Sequence, residues 1–267
     1  MVEMNDVLGD RMKQHEWEGA VGRFSPGCPV CVRLDGNNFS KFTKGLERPF
    51  DARMQYAMTA TADEVFSASG AVLAYTQSDE ITLVLVPARE GSGIYHGGRR
   101  DKINSLLAAR CSMAFRSAAA KFLPDTHQSP VVFDCRSFQV PNAETAADCV
   151  LWRQRDCVRN AIQSIGQRFY SHKSLHGMSG VDILRRLAAD GVDWESFPDC
   201  FRFGTAIMKR SEHLCFTEEE IEMLPPLHDA RKNPGMVFKR DIVVRSAMRC
   251  LFDDGGWFSC VIRGMMP

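Results

Sequence analysis

Two acidic positions carry most of the chemistry this sequence could do. Asp35 closes the β-type run "CPVCVRLDG", where Gly36 permits a turn that other residues resist. Asp79 and Glu80 stand between two apolar runs in "AYTQSDEITLVLV", a hairpin with a pair of carboxylates at its tip. Carboxylates are costly to desolvate unless a cation or hydrogen-bond donors compensate, so an acidic pair in such a place either faces water or holds something positive. If strands "VCVRLD" and "AVLAYTQ" are neighbours, Asp35 and Asp79 meet at one end of a sheet, with the Gly36 carbonyl beside them. An all-oxygen set with open positions suits Mg²⁺, which keeps waters and takes phosphate oxygens in preference to a complete protein cage. A pair of such ions is a standard device for in-line nucleotidyl transfer. In that setting Glu80 is a ligand, an orienting group, or an acid facing solvent. Asp-Gly and Ser-Asp are also common turn formers, and spacing alone leaves the two readings level.

The elements that must position these acids follow from periodicity. After the Asp35 strand, "PFDARMQYAMTATADEVFSAS" places Met54, Met58, Ala62, Val65 and Phe66 at helical spacing, with Asp51 in the first turn. A second long helix is expected from about Arg100 to Pro124, with Ile103, Leu106, Leu107, Cys111, Ala114 and Phe115 on one face. "SPVVFDCRSFQVP" reads as a strand, and "NAETAADCVLWRQRDCVRNAIQSIGQRF" as a third helix with Val158, Ile162, Ile165 and Phe169 on one face. Beyond residue 171 the pattern breaks into short helices, an "LPPLHDARKNPG" loop and an apparent hairpin at 253–256. The order strand, helix, strand pair, helix, strand, helix predicts an α+β fold, an antiparallel or mixed sheet covered by helices, rather than a doubly wound one. The expected division is a catalytic core over 1–140 and, packed with it as one unit, a helical region with a smaller C-terminal extension over 141–267.

Bulk properties narrow the partners. The 267 residues are 45% hydrophobic and 25% charged, and 33 basic residues balance 33 acidic ones. Zero net charge argues against a protein that coats nucleic acid indiscriminately and confines any polyanion site to a local surface. Ten cysteines without framework spacing point to reduced thiols. Cys28 and Cys31 in "CPVC" have His213 and Cys215 as the nearest candidate partners for zinc, and His172 with His176 has i, i+4 spacing; neither set makes a persuasive site. No apolar segment approaches the ~20 residues that span a bilayer, so no membrane association is expected. "MVEMNDVLGDRMKQHEWEG" resembles neither a signal peptide nor a transit peptide and reads as a short amphipathic helix. Cytoplasmic localisation is expected, with a mitochondrial one left open. Trp17, Trp152, Trp194 and Trp257 read as core or interface aromatics.

"RLDGNNF", the "QSDE" hairpin, "FDCR" and "WRQRDCVRN", in this order over residues 8–210, resemble the tRNA-histidine guanylyltransferase family, enzymes that add nucleotides to RNA 5′ ends in the 3′-to-5′ direction. "LGDRMK", "GLERPFD" and "YSHKSLHG" are most similar to its guanylyltransferase-like branch, which repairs or edits tRNA 5′ ends. The resemblance implies a palm-like catalytic domain, two Mg²⁺ ions held by Asp35, the Gly36 carbonyl and Asp79, and Glu80 as a supporting acid. It implies ATP, GTP and other nucleoside triphosphates as substrates, tRNA as partner and a homo-tetramer. Such transfer requires cations beyond the metals, because triphosphate charge is redistributed. The nucleotide-binding set carried over is Arg33, Asn37, Asn38, Phe39, Arg48, Ser78, Arg99 and Lys102. The RNA-binding set is Arg136, Arg153, Gln154, Asp156, Arg159, Asn160, His172, Lys173 and His176, much of it in a basic stripe over 152–173.

The chain departs from the tRNA-histidine enzymes in having Val158-Arg159 where they carry His-Ile ahead of the matching Asn. Template-dependent 3′-to-5′ addition to truncated tRNA is therefore the leading expectation. Alternatives are tRNA-histidine guanylyltransferase proper and a palm-type nucleotide cyclase, which shares paired aspartates at strand ends. A non-catalytic RNA-binding module would not require Asp35 and Asp79 to converge.

Overall fold

The computed structural model describes residues 22–87, 93–127 and 129–247. The amphipathic segment expected at the N-terminus and the hairpin expected at 253–256 lie outside these. Among the described residues, six strands form one sheet in the order β4-β1-β3-β2-β5-β6, with every neighbouring pair antiparallel. In chain order the elements begin with β1 (Val30–Gly36), α1 (Phe39–Phe42), α2 (Ala52–Ser69), β2 (Leu73–Gln77), β3 (Glu80–Leu85), α3 (Arg100–Phe122) and β4 (Phe133–Gln139). The succession β1-α2-β2-β3-α3-β4 is a split βαβ arrangement: a helical crossover returns β2 to the sheet two places from β1, and β3 fills the gap. The expectation that "VCVRLD" and "AVLAYTQ" are neighbours is thereby corrected. β1 pairs with β3, and β2 lies beyond it.

Alternation along β1 sends Val30, Val32 and Leu34 to one face, where they pack with Met58, Ala62, Val65 and Phe66 of α2 and Ile103, Leu107, Cys111 and Phe115 of α3. These are largely the residues that helical spacing selected. Leu106 departs from that set, being 40% exposed on the outer side of α3. The opposite face, with Cys31, Leu73, Tyr75 and Val84, is covered by Ala146, Ala147 and Val150 of α4 (Ala143–Phe169). At 27 residues α4 is about 40 Å long and outruns the sheet. Its second half packs Ile162 and Ile165 against a small cluster that includes Leu175 of α5 (His172–Leu175) and Ile183 and Leu187 of α6 (Gly180–Ala189). Phe169, expected on the buried face of α4, is 52% exposed.

After α7 (Asp199–Phe203), strand β5 (Thr205–Cys215) pairs with β2. The short helices α8 (Glu218–Met223) and α9 (Asp229–Lys232) precede β6 (Val237–Ala247) at the sheet's edge. The C-terminal half thus completes the same sheet. Neither strand was expected: "TAIMKRSEHLC" and "VFKRDIVVRSA" run charges through the strand and hide the period-2 pattern.

Asp51 fixes the start of α2 beside the end of the sheet. Its carboxylate accepts from the backbone N–H groups of Arg53 (2.9 Å) and Glu47 (3.1 Å) and from the Arg53 guanidinium (2.7 Å). Chiefly through the Arg53 side chain, its pKa is held at about 2, against an ordinary 3.8. A carboxyl depressed in the folded chain stabilises above its unfolded pKa and loses that contribution as pH falls through its folded one. Asp51→Ala should therefore lower stability by about 2 kcal/mol at pH 7 in urea titration, with the difference from the parent shrinking between about pH 4 and pH 2.

Candidate active site

The β2–β3 connection is a two-residue turn, Ser78-Asp79, between the paired Gln77 and Glu80. Ser78 adopts φ 48°, a left-handed conformation that costs a non-glycine residue free energy and recurs where function constrains the backbone. Its hydroxyl donates to Asp79 Oδ1 at 3.0 Å. β1 docks alongside with Asp35 opposite Glu80, and the Gly36 N–H donates to the Asp79 carbonyl at 3.1 Å. Asp35 and Asp79 therefore reach the same end of the sheet, through β3 rather than by direct pairing of β1 with β2. Burial pushes the Asp79 carboxyl up, the Asp35 charge adds to this, and the Ser78 hydrogen bond opposes it.

Glu80 has a different role from the pair at the tip. It is 6% exposed and accepts two charge-assisted hydrogen bonds from Arg153, Nε–Oε1 at 2.6 Å and Nη2–Oε2 at 2.8 Å. Arg33 Nε approaches its other side at 3.8 Å. Burial pushes the Glu80 carboxyl up against the pull of these cations. Arg153 continues to Asp156 at 2.7 Å, and Asp156 also accepts from Arg159, so an ionic chain runs from the β2–β3 hairpin along α4. The carboxylate of Glu80 is occupied as an anchor between sheet and helix.

The remaining oxygens fit a hard cation. Asp35 is 37% exposed at its side chain. Among the described residues no three His, Cys, Asp or Glu side chains converge, so a metal here would take two carboxylates and a backbone carbonyl and leave positions open, the Mg²⁺ pattern. Gly36 is required for close packing: a Cβ there would lie 2.1 Å from the Phe39 ring. Sequence reasoning missed Asp134, which sits opposite Asp35 on β4. Arg136 bridges the two, 3.1 Å from Asp134 and 3.8 Å from Asp35. The alternation of "FDCRSFQ", which places Asp134 and Arg136 on one face, was the available signal.

Beside the turn lies a cleft of about 180 Å³ lined by Arg48, Asp51, Gln77, Ser78 and Asn160, with Phe50, Met54 and Phe201 as apolar walls. Arg48, Gln167 and Arg168 line an adjoining polar cleft of about 300 Å³. Apolar walls suit a base or sugar, while two guanidinium-bearing residues at the neighbouring opening suit phosphate charge. Asn160, carried over with the RNA set, lines the same cleft as Arg48 and Ser78, which were carried over with the nucleotide set. A larger groove of about 850 Å³ between α2 and α3 contains none of these residues.

The other expected site residues divide by burial. Phe39 is 4% exposed within a cluster of Phe42, Phe115 and Phe133, so its ring supports Gly36 from the core rather than meeting a ligand. Asn37 and Asn38 are exposed after β1, Asn38 with φ 60°. Arg99 precedes α3 and pairs with Asp101 at 3.0 Å, and Lys102 is exposed in the first turn of α3. Arg153 (7% exposed) and Gln154 (0%) are interior, the latter donating to the Phe203 carbonyl at 3.3 Å. Their placement removes both from the surface offered to RNA. Arg159, His172, Lys173 and His176 are exposed. His176 follows α5 with extended backbone, so its pairing with His172 is not the helical i, i+4 geometry of a metal pair. Trp152, read as a core or interface aromatic, is 49% exposed with the guanidinium carbons of Arg153 and Arg33 at 4.4 and 5.7 Å from its ring.

Carboxylates delivered by a strand end and an adjacent hairpin turn are how palm-type nucleotidyltransferases are built, and this chain is an enzyme of that class. A model of the tRNAHis guanylyltransferase family matches residues 9–141, and the chain belongs to that family. It is 28% identical over 209 residues to the tRNA(His) guanylyltransferase of Candida glabrata, covering 71% of this chain and 86% of that one. An uncharacterized protein of Acanthamoeba polyphaga mimivirus is 27% identical over 230 residues, 78% of each chain. The solved structure of a bacterial tRNA(His) guanylyltransferase-like protein in complex with ATP superposes with a TM-score of 0.70 at 29% identity, covering 76% of this chain and 87% of that one.

Proposed function

We propose that the chain adds nucleotides in the 3′-to-5′ direction to the 5′ end of truncated tRNA, choosing each base by pairing with the opposite strand. The observation that carries this reading is the convergence of Asp35 and Asp79 beside the cleft shared by Arg48, Ser78 and Asn160. Asp35, the Gly36 carbonyl and Asp79 would hold two Mg²⁺ ions, which would activate the attacking oxygen and stabilise the leaving pyrophosphate. Ser78 and Asn160 orient the nucleotide by hydrogen bonding within the cleft. Arg48 and Arg168 face its phosphates, and Glu80 with Arg153 holds the hairpin against α4. The tRNA 5′-monophosphate is first activated by AMP transfer from ATP, which releases pyrophosphate, or a 5′-triphosphate is used directly; the 3′-hydroxyl of an incoming nucleotide, GTP or another triphosphate, then attacks that 5′ phosphate and gives up its proton, and AMP leaves from the activated end or pyrophosphate from the triphosphate. The ATP complex of the bacterial relative supports the nucleotide part of this reading. Repair or editing is favoured over histidine-specific addition by Val158-Arg159 and "YSHKSLHG". We place the protein in the cytoplasm as a homo-tetramer, which light scattering checks: a monomer of 29.9 kDa would contradict the assembly.

The test is incubation with ATP, GTP and a tRNA lacking its 5′ nucleotide. Extended RNA with no cyclic nucleotide supports the reading, and cyclic nucleotide from triphosphate alone would assign the site to a cyclase instead. On the RNA side, Lys173 is exposed in α5, next to the helical cluster built on the far half of α4. Lys173→Ala should weaken tRNA binding several-fold and reduce the slope of log affinity against log salt by about 1, with base selection unchanged. Filter binding across a salt series measures both.

A further inference from the structure

Gln77 ends β2 and pairs across the turn with Glu80, so it stands one residue before Ser78 and two before Asp79. Alternation puts it with Leu73 and Tyr75 on the face of β2 that α4 covers. It is 4% exposed and lines the cleft of about 180 Å³ beside the turn. Among the described residues its side-chain amide has no hydrogen-bond partner. By contrast, Asp51 accepts from Arg53 and Glu47, the Gln55 amide donates to the Thr59 and Thr205 hydroxyls at 3.3 and 3.2 Å, and the Thr76 hydroxyl donates to the Glu80 carbonyl at 3.0 Å. A buried amide left unpaired costs folding free energy, and such a group on a cleft wall marks a place that a ligand completes.

We infer that the Gln77 amide recognises the 2′-hydroxyl of a ribonucleotide bound in this cleft and so separates ribonucleotides from 2′-deoxyribonucleotides. This role rests on the proposed function, in which a nucleoside triphosphate reacts at Asp35 and Asp79. The ribose is the part of that triphosphate next to both reactive positions, since C5′ carries the α-phosphate and C3′ the attacking hydroxyl. Whichever of the two stands at the acids, the sugar lies beside the Ser78-Asp79 turn, where Gln77 is the buried group with free hydrogen-bonding capacity. The 3′-hydroxyl must surrender its proton in the addition step, which leaves the 2′-hydroxyl for recognition. Either end of the amide suits a hydroxyl, which both donates and accepts: the carbonyl oxygen accepts from its O–H, or the NH₂ donates to its oxygen.

Sugar rather than base is the group that fits this amide. Phe50 and Phe201, with ring centroids 5.4 Å apart, supply an apolar wall for a base, and Arg48 supplies charge for phosphates. A glutamine that read a base edge would select one base, against the pairing-dependent choice proposed above, whereas the ribose is common to all four triphosphates. Burial then supplies the discrimination. A 2′-deoxyribonucleotide fills the cleft and leaves the amide unpaired and shut off from water, and sites built around a substrate hydroxyl strongly reject the analogue that lacks it.

Calorimetric titration of the full chain in Mg²⁺, with no RNA present, compares ATP with 2′-deoxyATP and GTP with 2′-deoxyGTP. Each ribonucleotide should bind about ten-fold tighter, or more, than its deoxy counterpart. Gln77→Met, similar in volume and apolar, should bring the ribonucleotides down to the affinity of the deoxy forms and leave the deoxy forms unchanged or tighter. The urea midpoint of ligand-free Gln77→Met should equal or exceed the parent's, because an unpaired amide is removed. Equal binding of ribo and deoxy forms by the parent overturns the role without need of a variant. So does a Gln77→Met chain that keeps the sugar preference, that loses ATP and 2′-deoxyATP alike, or that changes the preference between ATP and GTP instead. A lowered midpoint would show the amide to be paired within the fold and overturns it as well. Sugar selection and RNA extension fail separately: extension of truncated tRNA by a chain that binds both sugars equally keeps the proposed function and removes this role, whereas ribose-selective binding without extension leaves a ribonucleotide site and removes the proposed function.

Discussion

On the proposed mechanism, Asp79→Asn should abolish nucleotide addition, with extension of truncated tRNA falling by about 10³-fold or more, because the charge proposed to hold metal at the hairpin tip is lost while its shape is kept. Both the activation step, followed as transfer of labelled AMP, and the addition step should fail together. Stability should be unchanged or raised. Burial and the Asp35 charge push the Asp79 pKa up, so its ionised form costs folding free energy at neutral pH, and a neutral amide removes that cost. A variant that loses activity and unfolds at lower urea than the parent would show Asp79 to be structural. One that extends normally in Mg²⁺ would remove Asp79 from the site.

Arg153→Ala should produce the largest loss of stability. It leaves Glu80 buried without the two hydrogen bonds at 2.6 and 2.8 Å, and stranding one member of a buried ion pair costs about 3–5 kcal/mol. The urea midpoint should fall accordingly. The double variant Glu80→Gln with Arg153→Met should recover much of the difference, since it removes the stranded charge. If Arg153 instead contacted RNA from an exposed position, the single variant would keep its midpoint and lose tRNA affinity in a salt-dependent way.

The contrast between these two residues shows how far the sequence could be read. Asp35 and Asp79 were legible because each ends a β-type run at a turn, and any sheet in which the two strands lie close brings such positions together. The route was not legible: both β2 and β3 are buried along their whole length, so neither carries an alternation that would say which one pairs with β1. Arg153 was assigned to the RNA side from the resemblance of "WRQRDCVRN" and from its company of arginines. The spacing of Val150, Arg153, Gln154, Cys157 and Ala161 at three and four places it on the buried stripe of α4, and charge in that stripe was the sign of an internal partner. Phe39, read as part of a binding motif, is held in the core by aromatic neighbours far away in the chain, Phe115 and Phe133. Asn160 was read with the RNA set; its place beside Arg48 and Ser78 was not legible, because the cleft it lines is assembled from α2, the β2–β3 turn, α4 and α7, a conjunction that only the fold creates.

Template-dependent addition is tested most directly by a set of tRNAs lacking the 5′ nucleotide, identical except for the acceptor-strand base opposite the vacancy, each offered the four triphosphates separately. An incorrect pair displaces the incoming 3′-hydroxyl, and misplacement by about 1 Å can cost on the order of 100-fold in rate. The preferred nucleotide should therefore change to the complement of each opposing base, whatever the anticodon. Addition of G regardless of that base, and only to RNA bearing a histidine anticodon, would contradict template-dependent repair and leave histidine-specific guanylyl transfer as the activity.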